Sequence, residues 1–116
     1  MSLGYRGRIQ LAAKDRDIVL YRYCGENWND HTEARGKIEV LDGEIAINIA
    51  KLKAPVSLSE ALKNGAVEII KTCVAESTET MYSDFTKLYF AGKLLYMVFK
   101  EFEKSGEWLK EEWFFV

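Results

Sequence analysis

The chain has 116 residues and a formal net charge of -2, a length that suits one domain. Apolar residues make up 48% and charged residues 29%, which excludes a disordered composition, and a chain of this size buries roughly two thirds of its unfolded surface without a staple. No run approaches the ~18 apolar residues of a membrane span, the first residues lack a secretory apolar core, and the charge balance offers no basic field. The expectation is a cytoplasmic protein without a membrane or nucleic-acid partner.

Cys24 and Cys73 stand far apart, and His31 is the lone histidine, so one chain cannot assemble a Cys/His zinc site. A carboxylate site for magnesium or calcium stays open on this count, but no metal and no cofactor is expected. Both cysteines have apolar neighbours and read as small buried hydrophobes.

In chain order, Tyr5 to Ala13 and Asp17 to Cys24 alternate with period two and read as a hairpin around Lys14-Asp15-Arg16. Ile18-Val19-Leu20-Tyr21 is apolar on both sides, as a strand covered on both faces would be. The polar stretch from Gly25 to Glu33 reads as a loop with Trp28 folded back onto the sheet. From Lys37 to Ile49, Asp42-Gly43 resembles a type I′ turn, which would pair Val40 with Ile45 and Ile38 with Ile47. Residues 1–54 are therefore expected to form a four-stranded antiparallel meander.

Pro55 opens a different texture with a period near 3.6. Ser57-x-x-Glu60 has capping-box form, and Leu58, Ala61, Leu62, Ala66, Ile69, Ile70, Cys73 and Val74 follow at helical spacing. The stretch reads as one helix unless Asn64-Gly65 ends it, in which case Ala66 to Ala75 becomes a strand presenting Val67, Ile69 and Cys73. A second helix is expected from Glu79 to Lys104, closed by Gly106. Residues 107–116, with Trp113-Phe114-Phe115-Val116, read as a last strand joining the sheet. The fold class is α+β: an antiparallel meander of four to five strands packed against two C-terminal helices over 55–106.

The second helix carries the main functional signal. Met81, Phe85, Leu88, Leu95, Phe99 and Phe102 form a core stripe widened by Tyr82, Tyr89 and Tyr96. Phe90, Leu94 and Met97 recur at i, i+4, i+7 on the other side. The helix would be about 39 Å long and a four-stranded sheet only about 19 Å wide. Something else must cover the second stripe: the first helix, a second copy of the chain, or a foreign partner.

The leading expectation is a small non-enzymatic protein-interaction module that acts as a homodimer through Phe90, Leu94 and Met97, with another protein as a further partner and the loop from Gly25 to Arg35 as a polar recognition edge. The alternative is a small-molecule binder with an aromatic pocket lined by Tyr82, Tyr89 and Tyr96 between sheet and helices. A third class, a small hydrolase, would need acid-flanked His31 as a general base; it is the one catalytic candidate. No G-x-S-x-G supports a serine nucleophile, and Gly4-Tyr5-Arg6-Gly7 lacks the lysine and hydroxyl of a phosphate loop. Arg6, Arg8, Arg16 and Arg22 interleave with Tyr5, Tyr21 and Tyr23 as on a sheet that stacks nucleic-acid bases, but Asp15, Asp17 and Glu26 would repel phosphates.

Overall fold

The computed structural model of the chain describes residues 4–53, 56–76 and 88–116. Five strands, β1 (Tyr5–Lys14), β2 (Ile18–Asn27), β3 (Gly43–Asn48), β4 (Val67–Lys71) and β5 (Glu111–Phe115), are accompanied by a short helix α1 (Leu58–Lys63) and a long helix α2 (Tyr89–Ser105). The strands form one sheet in the order β4-β3-β2-β1-β5 with antiparallel neighbours throughout. This is an α+β fold. Its helical part is one main helix and one short one, less than the two C-terminal helices read from the sequence. The two strands read over Tyr5–Ala13 and Asp17–Cys24 are present, and Ile9, Val19, Tyr21 and Tyr23 face α2 and are fully buried. β2 runs on through Gly25–Asn27, which the sequence placed in a loop, and Ile18 is exposed because only one face of the strand is covered there.

The hairpin expected at Asp42-Gly43 does not form. β3 starts at Gly43 and pairs with β2, placing Val19 opposite Ile47 and Tyr21 opposite Ile45. Its other edge is taken by β4, so no edge remains for residues 36–41. Gly43 is not at a positive φ; it is needed because the Tyr23 ring lies flat against it, where a side chain would collide. Residues 37–41 instead cross the far face of the sheet, where the Cys24 thiol donates to the Ile38 carbonyl at 3.1 Å. Val40 stays exposed.

The unbroken first helix is also overturned. Asn64 caps α1, Gly65 turns left-handed at φ 81°, and the Asn64 side chain accepts from the Ala66 amide at 2.8 Å. Ala66 and Val67 then enter the core as the start of β4. Ser57 precedes α1 but its side chain makes no cap hydrogen bond, so the capping box is not realised.

α2 has 17 residues, about 25 Å at 1.5 Å per residue. The helix start expected at Glu79 lies outside the described residues, as do Met81, Tyr82 and Phe85. At its other end Gly106 adopts φ 77° and donates to the Phe102 carbonyl, as expected. The two apolar stripes of the sequence reading bound one broad arc, with Ala91 and Val98 at its centre. Phe90 (3% exposed) and Leu94 (fully buried) lie inside the chain's own core with Leu95 and Phe99. The sheet can enclose so wide an arc because it has a fifth strand and curls. Ala12 in β1 and Ile70 in β4 are unpaired extra residues, and such bulges bend a strand and deepen its twist. Gly25 and Gly7 complete the fit, since Cβ atoms there would overlap the rings of Phe90 and Phe114.

One buried carboxylate ties these parts together. Glu76 is 3% exposed and accepts the Phe90 amide at 2.7 Å and the Ala91 amide at 3.1 Å. These are two of the amides at the start of α2 that have no partner within the helix. The Tyr23 hydroxyl donates to the same carboxylate and accepts from the Cys73 amide at 3.2 Å. Burial pushes the Glu76 carboxyl above its ordinary value; the three donors pull the other way without cancelling it. A second tyrosine of β2 does a related job, as Tyr21 donates to the Leu109 carbonyl at 2.7 Å just before β5.

Two outcomes follow from this packing. Glu76→Ala leaves three buried donors without an acceptor and is expected to lower stability by about 3 kcal/mol in urea denaturation. Since folding raises the Glu76 pKa, its contribution is whole below about pH 4.5 and declines as pH rises through the folded value, because the unfolded chain ionises first. The stability difference between wild type and Glu76→Gln should shrink accordingly over that interval. Gly25→Ala should cost about 2 kcal/mol, because Phe90 is wedged between Phe114 at 6.0 Å and Tyr5 at 6.2 Å; an unchanged melting point would show that the ring can move aside.

Candidate functional site

With the odd-numbered residues of β1 facing α2, Arg6, Arg8 and Gln10 project from the opposite, open face of the sheet, and Trp113 and Phe115 of β5 lie beside them. The tyrosines that the sequence interleaves with these arginines point the other way, into the core. The arginines and those tyrosines therefore do not share one face of the sheet.

The open face has its own aromatic side chains. The Arg6 guanidinium lies 4.9 Å from the centre of the Trp28 ring and that of Arg35 5.7 Å. Glu26 links the group, accepting from Arg6 Nε at 2.9 Å and also from the Trp28 indole N–H. Trp28 thus folds back onto the sheet, as its sequence context suggests, while 51% exposed. A matching unit sits on β1 and β5. Arg8 lies 5.1 Å from the centre of the Trp113 ring and pairs with Glu111 at 2.8 Å, and Trp113 stacks on Phe115, which is 63% exposed. Burial works to raise the Glu26 carboxyl, but the hydrogen bonds from Arg6 and Trp28 outweigh it and hold the group below the usual carboxylate range.

β5 is also an edge of the sheet. Tyr5 and Val116 exchange both main-chain hydrogen bonds, and the Leu11 amide donates to the Lys110 carbonyl. Antiparallel alternation therefore turns the main-chain groups of Glu111, Trp113 and Phe115 away from β1. The Trp113 amide is met by the neighbouring Glu112 carboxylate at 3.1 Å, a common way of blunting an edge.

A second concave surface lies between α2 and β5. A groove of about 440 Å3 is lined by Leu88, Tyr89, Gly92, Lys93, Tyr96, Met97, Phe114 and Val116. Tyr89 and Tyr96, read from sequence as ligand-facing, do share this wall; Tyr82 lies outside the described residues. Burial raises the Tyr89 hydroxyl pKa, while Tyr96 is 64% exposed. Of the three residues expected at an interface, only Met97 reaches this surface. Phe90 and Leu94 are corrected to core residues, because the curled sheet covers the side of α2 that a flat one would leave bare.

His31 is exposed in the turn after β2. Its neighbour Asp30 accepts from the Thr32 amide at 2.7 Å and hydroxyl at 2.5 Å, bonds that keep its carboxyl ionised to lower pH. Both bonds fall on Oδ1, and no ion pair joins Asp30 to His31 among the described residues. Both cysteines are buried and free. Burial pushes the Cys24 thiol up to about 12 and raises that of Cys73, which makes both poor nucleophiles at neutral pH. Among the described residues no cluster of three His, Cys, Asp or Glu side chains could hold a metal ion, and no helix is long and apolar enough to cross a membrane. No protein-family model matches the chain, and neither a curated protein nor a solved structure matches it.

Arg6 and Glu26 are largely shielded, and a double-mutant cycle with alanine should give a coupling of about 1 kcal/mol that salt weakens. Because the Glu26 pKa is depressed in the folded protein, the coupling is present above the ordinary carboxylate range and is lost as pH falls through the folded value.

Proposed function

We propose that this chain is a non-enzymatic, cytoplasmic protein-interaction module that pairs with a second copy through the outer edge of β5. The observation that carries the reading is the exposed Trp113–Phe115 stack on a strand whose other main-chain edge pairs with no strand among the described residues. Tryptophan and arginine are enriched where proteins meet, and rings already held by Arg6, Arg8 and Arg35 lose little freedom on contact. An antiparallel pairing centred on Trp113 sets each Glu111 opposite a Phe115 and each Glu112 opposite a Phe114, so like charges do not face each other. The Glu112 carboxylate gives up the Trp113 amide in the process, and the two sheets become one. The Trp28 end of the open face then lies away from the seam, where the segment from Trp28 to Arg35 after β2 can meet another protein. Two free buried thiols suit a reducing compartment.

Self-association is no longer assigned to Phe90 and Leu94, which lie inside each chain. Sedimentation equilibrium at micromolar concentrations is expected to give twice the chain mass of 13.3 kDa. Trp113→Pro removes an outward-facing amide without touching a bond to β1, a change edge strands tolerate. It should give a folded monomer, with circular dichroism unchanged. Wild-type protein that sediments as a monomer would overturn the homodimer.

A further inference from the structure

We infer that the groove between α2 and β5 binds a small amphiphile with an apolar body and a carboxylate end. Its volume of about 440 Å3 falls within the roughly 300–1,000 Å3 typical of small-molecule sites. Its walls are the rings of Tyr89 and Phe114 and the side chain of Met97, and its one charged lining side chain is Lys93. The Lys93 ammonium stands 5.4 Å from the centre of the Tyr89 ring and 5.8 Å from that of Phe114, which holds it over the groove. Among the described residues the ion pairs involve Arg6, Arg8 and Arg22, and none involves Lys93. Lys100, two turns beyond, likewise stands 5.6 Å from the centre of the Tyr96 ring without an acidic partner among them.

An apolar cleft with a cation at its mouth complements an anion attached to a hydrocarbon or aromatic body. The body displaces water from Tyr89, Met97 and Phe114, and the carboxylate accepts a charge-assisted hydrogen bond from Lys93. A neutral alcohol of the same length fills the cleft but leaves the ammonium without its anion, and a quaternary amine brings like charges together. The groove opens on the helix side of β5, apart from the Arg8 and Trp113 face, so this inference does not depend on the pairing proposed above.

The test is calorimetric titration of the full chain with decanoate, decanol and decyltrimethylammonium, each below its micelle concentration. Decanoate should bind about tenfold more tightly than decanol, and decyltrimethylammonium least. Lys93→Met, which keeps most of the apolar stem of an exposed side chain, should bring decanoate down to the level of decanol, a change of about 1.4 kcal/mol. Equal binding of decanoate and decanol by the wild type overturns the inference, as does undiminished decanoate binding by Lys93→Met. Absence of decanoate binding also overturns it. Tyr96→Arg adds a second reading by sedimentation: if it changes the oligomeric state and leaves decanoate uptake unaltered, the groove is covered by a second copy and is not a ligand site.

Discussion

A single buried carboxylate sets the arrangement of this protein. Glu76 stands where the chain returns from the edge of the sheet, and it meets the amides at the start of α2 and the hydroxyl of Tyr23 at once. A carboxyl group in that position is costly unless its lone pairs are used, and here three donors use them. The same contacts supply the exposed amides of a helix start, which no side chain at the preceding Leu88 could have done. β2 thus positions α2, and α2 positions everything that packs on its apolar arc.

From that arrangement comes a division between the two faces of the sheet. One face is curled around Phe90, Leu94, Val98 and Phe99 and is closed. The other is crossed only in part by residues 37–41, and it keeps Trp28, Trp113 and Phe115 at the surface under arginine guanidinium groups that are themselves held by Glu26 and Glu111. Among the described residues, this face therefore presents aromatic and cationic side chains that are already held in place. Its thiols are buried and protonated, and the acidic neighbour of its histidine is already engaged.

The legible part of the sequence was the part governed by short-range periodicity. Alternation read over Tyr5–Ala13 and Asp17–Cys24 located β1 and most of β2, and Gly106 ended α2 where left-handed backbone was expected. The Asp42-Gly43 turn failed although its pattern was clear, because a turn dipeptide is local evidence and strand pairing is not. β2 and β4 compete for the same edges of β3, and with both in place the segment before Gly43 has nowhere to pair. At Asn64-Gly65 the apolar spacing favoured an unbroken helix over a strand, but the core needed a strand beside β3 more than it needed more helix.

For the candidate site, sequence periodicity brought Tyr89 and Tyr96 to one surface but misplaced Phe90 and Leu94. The width of a helix's buried arc depends on how far its cover curves, and curvature comes from Ala12, Ile70 and the glycines acting together across strands. Trp28, Trp113 and Lys93 stand out in sequence only as isolated residues, and nothing in their spacing announces that Arg6 and Arg8 will lie over two of them. The sequence by itself determined composition, strand alternation, the apolar residues of α2 and the end set by Gly106, since these rest on side-chain period and backbone freedom within a few residues; the break at Gly65 was left to the tertiary structure. Only the tertiary structure decided strand order, the curl of the sheet, the burial of Glu76 and which aromatic rings remain outside, because each requires residues distant in the chain to compete for one space.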